Sequence, residues 1–266
     1  MTEIAPETRR GRGGAAAVRP SPVFLVIVAA TALAGLVTWR YGQITDQPAR
    51  IALFVFVLAG WVLSLCLHEF GHAYTAFRSG DHSVATKGYL TLNPFKYADM
   101  VLSFAIPVLF ILLGGIGLPG GAVWIDRHSI RGKIRHSLIS AAGPLSNVLF
   151  AVVLAVLIHT LADDAHSVFW VGVAFLAFLQ VTAAILNLLP IPGLDGFGII
   201  EPYLPRSWVR HANQYAGYAF LVLVALLWLG PINEGFFNLV FYVTDAIGLE
   251  ELQIAIGHAL FQFWQD

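Results

Sequence analysis

Charge is scarce in this chain. Asp, Glu, Lys and Arg make up 12% of its 266 residues, whereas a soluble domain carries about 25%. With 58% hydrophobic residues and a mean hydropathy of +0.74, this deficit excludes an ordinary water-soluble domain and indicates a membrane protein. Net charge is close to absent as well, at −1, so nothing in the balance calls for a nucleic-acid partner. Cysteine is nearly missing. Cys66 stands alone, so no intrachain disulfide can form and no disulfide framework shapes the fold. Cys66 lies two residues before His68, about 200° round a helix, and reads as a small packing residue rather than a metal ligand. The chain also lacks internal repeats.

What it has instead is a series of long apolar runs, at about 22–39, 51–78, 100–118, 137–160, 168–189 and 209–230. Residues 1–21 are rich in Ala, Gly, Pro and Arg and read as a disordered basic tail. The run that follows reads as an anchor rather than a removed signal peptide. Residues 22–231 form the membrane-embedded domain. The last stretch, 232–266, has shorter apolar runs broken by Asn233, Glu234, Asp245, Glu250 and Glu251; it is expected to lie at the interface or pack on the bundle. The expected fold is an all-α polytopic membrane protein with about six transmembrane helices.

The positive-inside rule orients it. Arg9, Arg10, Arg12 and Arg19 put the N-terminus in the cytoplasm, and two crossings bring 78–99, with Arg78, Lys87 and Lys96, back inside. Arg127, Arg131, Lys133 and Arg135 belong inside too, so 100–118 cannot cross once. A re-entrant hairpin turning near Pro107 or Gly114-Gly115 reconciles the two basic flanks, since non-helical backbone at membrane depth is tolerated where protein or water surrounds it. Within 85–95, a short β-like loop at Gly88–Asn93 is expected to offer a strand edge to an unwound substrate.

His68-Glu69-Phe70-Gly71-His72 reads H-E-x-x-H. On a helix, positions i and i+4 share a face, so both imidazoles can reach one Zn²⁺. Glu69, about 100° further round, can lean toward a water at the metal and take its proton. The motif sits in an apolar helix, where a carboxylate costs about 2.5–3.5 kcal/mol on insertion scales and needs a partner or a task. The bland alternative is a polar cluster that ties helices together. Two histidines leave zinc short of the three protein ligands that catalytic sites commonly use. Asp195 can supply the third. Pro190 and Pro192 end the fifth run, and Gly193 and Gly196 let the chain turn back. An ordinary solvated loop aspartate is the competing reading.

Taken in order, H68-E-F-G-H72, A142-G-P-L-S-N147 and N187-L-L-P-I-P-G-L-D195-G resemble the motifs of the site-2 protease family of intramembrane metalloproteases, in the compact form without PDZ or CBS modules. The likeness covers about residues 50–200, the expected catalytic core. It implies one zinc ion per chain on His68, His72 and Asp195, with Glu69 catalytic. It also implies hydrolysis of a peptide bond within or beside a transmembrane segment of a substrate protein. The second and fifth runs cross in the same direction, so the histidines and Asp195 are expected nearer the cytoplasmic face of the bilayer. Asn187 and Asn147 would orient substrate or stabilise an oxyanion, an amide offering two donors and an acceptor; for Asn147 a helix-packing hydrogen bond is an equal alternative. The usual proline- and valine-rich run before the basic segment is replaced by L118-P-G-G-A-V-W-I-D126. The remaining histidines match no motif, His82 following the helix most closely. A metal or proton-coupled transporter would show paired repeats and a route to both sides, and a non-catalytic scaffold would not need Glu69.

Overall fold

The structure, a computed structural model, describes residues 18–40, 47–97, 109 and 123–264. In chain order the helices are α1 (Pro22–Arg40), α2 (Gln47–Ser79), the single turn α3 (Ser83–Thr86), α4 (Lys133–Leu161), α5 (Ser167–Leu188), the short α6 (Asp195–Ile200), α7 (Arg206–Gln214), α8 (Ala216–Leu226), α9 (Gly230–Ala246) and α10 (Glu251–Phe261). Four of them, α1, α2, α4 and α5, are long and apolar enough to cross a membrane. This is a multi-pass integral membrane protein.

The number of spans differs from the six expected. Among the described residues there are four, or five if α8 and α9 count as one broken span. The run 209–230 is continuous in hydropathy but not in structure. Its first half belongs to α7, with Arg206, Arg210 and Asn213 along it. Its second half, α8, has only 11 residues, about 17 Å at 1.5 Å per residue, against a hydrocarbon core of about 30 Å. The axis then bends by 91° into α9. The hairpin expected over 100–118 lies, but for Leu109, outside the described residues, as does the tail through residue 17.

The β-like loop at 85–95 is also corrected: there is no strand among the described residues. Tyr89-Leu90-Thr91-Leu92 looks strand-like by composition, but local hydrogen bonding coils it. The Thr91 hydroxyl and N–H both donate to the Gly88 carbonyl. Gly88 and Leu92 both take positive φ, 80° and 55°, a left-handed conformation that a strand cannot contain. The Asn93 side chain accepts from the Phe95 N–H and caps a second 3₁₀ turn that begins at Pro94. Residues 85–95 leave no edge for a substrate to pair with.

At the centre of the bundle is α5, the most enclosed of the four spans. It packs between α2, α4 and α10, its Val171, Phe175 and Leu179 meeting Leu53, Val57 and Trp61 of α2 and Phe261 of α10 in one core. Without a strong hydrophobic drive between helices in lipid, close approach depends on small residues. A Cβ on Gly60 would press into Leu176, and one on Gly257 would overlap the Val171 carbonyl. α1, by contrast, shows most of its surface outward, as a lipid-facing helix should.

The two ends of the bundle are fixed by separate ties. At one end Trp39, closing α1, stacks on His166, just before α5, at 3.6 Å between ring centres. At the other, the Ser21 N–H donates to the Thr91 carbonyl at 2.8 Å, and Arg135 near the start of α4 reaches the last residue of α2, donating to the Ser79 carbonyl. This second end therefore gathers the start of α1, the end of α2, the start of α4 and the end of α5. Of the expected site residues, His68, Glu69, His72, Asn187 and Asp195 fall toward it, and Asn147 lies midway along α4.

Candidate metal centre

His68 and His72 lie in the second half of α2, one turn apart on the face turned into the bundle, and both are buried. Their Nε2 atoms are 3.1 Å apart. The segment 189–194 breaks the helix line after α5 and returns the chain as α6, whose first residue is Asp195. Gly193 turns there with φ 96°, and Gly196 passes so near the Leu188 and Leu189 carbonyls that a Cβ would overlap them. The Asp195 carboxylate is thereby delivered to the histidines, Oδ2 at 3.2 Å from Nε2 of His68 and Oδ1 at 3.3 Å from Nε2 of His72.

The far nitrogens of the two rings define what the near ones offer. Nδ1 of His72 lies 2.7 Å from the Ile139 carbonyl, and Nδ1 of His68 lies 2.7 Å from Oδ1 of Asn147. Both partners are acceptors, so each Nδ1 carries the proton and each Nε2 presents a lone pair to the centre. Two such lone pairs and a carboxylate repel unless a cation lies between them. A tetrahedral zinc site with bonds of about 2.0–2.1 Å sets its ligand atoms about 3.3–3.4 Å apart, close to the spacing seen here. The opposite wall leaves room: a Cβ on Gly143 of α4 would overlap both Nε2 atoms. His68, His72 and Asp195 therefore form a cluster that can coordinate one Zn²⁺.

Glu69 is buried beside the cluster, and its Oε2 has no hydrogen-bond partner among the described residues. It lines a cavity of about 210 Å³ together with His72, Asp195, Val123 and Ile125. Arg127 and Glu201, paired with each other, and Asn213, which donates to Glu201, stand along the same cavity. The segment 123–129 is held in place by Asp81, whose fully buried carboxylate accepts from the backbone N–H groups of Ser83 and Asp126.

The other sequence candidates divide. Asn147 is drawn in as the partner of His68, with its Nδ2 donating to Gln180 at 3.3 Å. Asn187 is buried at the end of α5 and donates to the Ala183 carbonyl of its own helix. Cys66 is buried as a free thiol outside the cluster, and His82 packs edge-on against Phe77. Gln180, Asp81 and the carbonyl of Ile139 also support the site and are not among the residues the sequence singles out. Only Gln180 carried a signal, as a lone amide in the apolar run F-L-Q-V; the other two acquire meaning from contacts distant in sequence.

Comparison with known proteins agrees with this chemistry. The chain is similar to the zinc metalloprotease Rip2 of Mycolicibacterium smegmatis, 48% identical over 247 residues that span 93% of this chain and 95% of that protein. It is equally similar to Rip2 of Mycobacterium tuberculosis, 48% over 248 residues with the same coverage. The zinc metalloprotease YwhC of Bacillus subtilis is 31% identical over 183 residues, 66% of this chain and 81% of that protein. No family model matches the chain, and no solved structure matches it. High identity along almost the whole length, joined to a His-His-Asp cluster whose histidines are set in a membrane helix, means that the chain belongs to the Rip2-like site-2 protease family and is a zinc-dependent intramembrane endopeptidase.

Proposed function

We propose that the chain hydrolyses peptide bonds within or beside transmembrane segments of other membrane proteins, with zinc on His68, His72 and Asp195 and with Glu69 as the general base. The carrying observation is the meeting of three ligand atoms beside a buried carboxylate whose Oε2 has no hydrogen-bond partner among the described residues. Bound zinc supplies Lewis acidity toward a scissile carbonyl and a water. Glu69 Oε2 takes the proton of the attacking water and returns it to the leaving nitrogen. Asn147 keeps His68 in its metal-binding orientation. Asn187 uses one amide hydrogen on Ala183 and has a second for a substrate carbonyl or developing oxyanion.

The N-terminus and the metal centre lie on the cytoplasmic side. Among the described residues every Lys and Arg except Arg40 and Arg50 falls at the end of the bundle where α2 ends and α4 begins, and that bias marks the cytoplasmic face. A substrate helix would present its cytoplasmic half, locally unwound, to the cavity lined by Glu69 and Asp195.

Glu69→Gln tests this reading. In full-length protein reconstituted with a transmembrane reporter, cleavage should fall by about 10²–10⁴-fold, the range for a lost acid–base group, while metal analysis still finds one zinc per chain. Equal cleavage by variant and parent would remove Glu69 from the reaction.

A further inference from the structure

The two histidines are oriented by partners of different kinds. Nδ1 of His72 faces the Ile139 carbonyl, a backbone group that can only accept. Nδ1 of His68 faces the side-chain amide of Asn147, which could turn over and present a donor instead. Turned over, it would take a lone pair from Nδ1, move the imidazole proton to Nε2 and aim N–H at the centre where a metal ligand is needed. Something has to stop that rotation.

Gln180 is placed to do so. It lies midway along α5, wholly buried among apolar neighbours, and its Oε1 accepts from Nδ2 of Asn147 at 3.3 Å. Its Nε2 has no partner among the described residues, so the contact with Asn147 is the one hydrogen bond its side chain makes there. A buried amide left half satisfied is costly, and a helix with Leu or Val here would avoid the cost. We infer that Gln180 is a positioning residue of the metal centre: by accepting from Asn147 it fixes the amide so that Oδ1 faces His68, and so holds His68 in the tautomer that presents a lone pair at Nε2. Reversing the relay requires two buried amides to turn together. Gln180 touches neither metal nor substrate; it acts through Asn147. The inference rests on the zinc reading above.

The test is a double-mutant cycle in zinc affinity, using full-length protein in detergent or nanodiscs and a competing chelator. Loss of a residue orienting a metal ligand costs 10–100-fold in affinity, so Gln180→Leu, one step further out, is expected to weaken zinc about 10-fold. Asn147→Leu should weaken it at least as much. In the Asn147→Leu background, adding Gln180→Leu should change affinity by less than about twofold, because the path is already cut. Melting of each metal-free protein reports whether the bundle has assembled, and Gln180→Met, of equal length and unbranched, replaces Gln180→Leu if that variant does not. Parental zinc affinity in the Gln180 variant would overturn the inference, and so would a loss undiminished by Asn147→Leu, since that is what general damage to the bundle produces. A parent chain that binds no zinc would instead refute the reading of the centre itself.

Discussion

The histidine side and the aspartate side of the metal centre are built in opposite ways. His68 and His72 sit inside a 33-residue helix that is packed along its length, and each ring is fixed at its far nitrogen by α4 or a residue on it. Asp195 starts a six-residue helix after a proline-broken segment, and among the described residues its carboxylate has no hydrogen-bonding or ionic partner besides the two histidines. One side is positioned before the metal arrives. The other is positioned by a turn, by the close pass of Gly196 and by a small apolar cluster of Leu186, Leu194, Leu223 and Leu227 beneath it. The difference implies that intruding on the space of the histidine rings removes the site, whereas loosening the loop that carries Asp195 weakens it by degrees.

The largest effect should come from Gly143→Ala. The added methyl would occupy space held by both Nε2 atoms, and α2 and α4 cannot separate easily, because Gly71 is packed against the carbonyl of Ala142, the residue before Gly143. Zinc affinity should fall beyond the roughly 100-fold limit typical of residues that only orient a ligand, with the melting of the metal-free protein changed little. Near-parental zinc binding would mean that the wall is softer than described. Gly196→Ala should strike only the carboxylate, displacing it from the histidines and reducing affinity about 10–100-fold. Combined with Asp195→Ala it should add nothing. Additive losses would place the effect of Gly196 elsewhere.

This same difference decided what could be read from the sequence. The histidine pair is a local feature: once the segment is a helix, spacing of four fixes a shared face, and no distant contact is needed. Asp195 required the ordered motifs of a family, because spacing cannot say where a chain goes after Pro190 and Pro192. Asn147 was legible as a polar residue in an apolar helix, but whether it served substrate or a neighbour depended on which helix faced it. The spans at 22–39, 51–78, 137–160 and 168–189 emerge within a few residues of α1, α2, α4 and α5, since long apolar runs leave one solution in lipid. The failures share a cause. At 209–230 average hydropathy hides a break at 227–229. At 88–93 strand-forming side chains are overruled by hydrogen bonds of Thr91 and Asn93 to their own neighbourhood. Both are decisions of two or three residues, which windowed reading averages away.

The smallest effect expected is also the one that most sharpens the contrast between the two sides. Leu223 of α8 is buried in the cluster with Leu186 and Leu194, and Leu194 is the residue before Asp195. Leu223→Ala leaves every hydrogen bond of the centre intact and opens a void beneath the carboxylate loop. A Leu→Ala void costs about 2–5 kcal/mol in water-soluble cores. The cost here should lie at the low end, because α8 is largely exposed and its neighbours can settle. Zinc affinity should drop only about threefold, well under the 10-fold floor for direct orienting partners, and the loss should come from faster zinc release as the loop loosens. Leu65→Ala, in the core on the histidine helix, should lower melting by a similar amount without changing zinc release, because the rings remain held by Asn147 and Ile139. If both variants speed release equally, the two halves of the centre are coupled through the whole bundle, and the separation between a fixed histidine side and a compliant aspartate side does not hold.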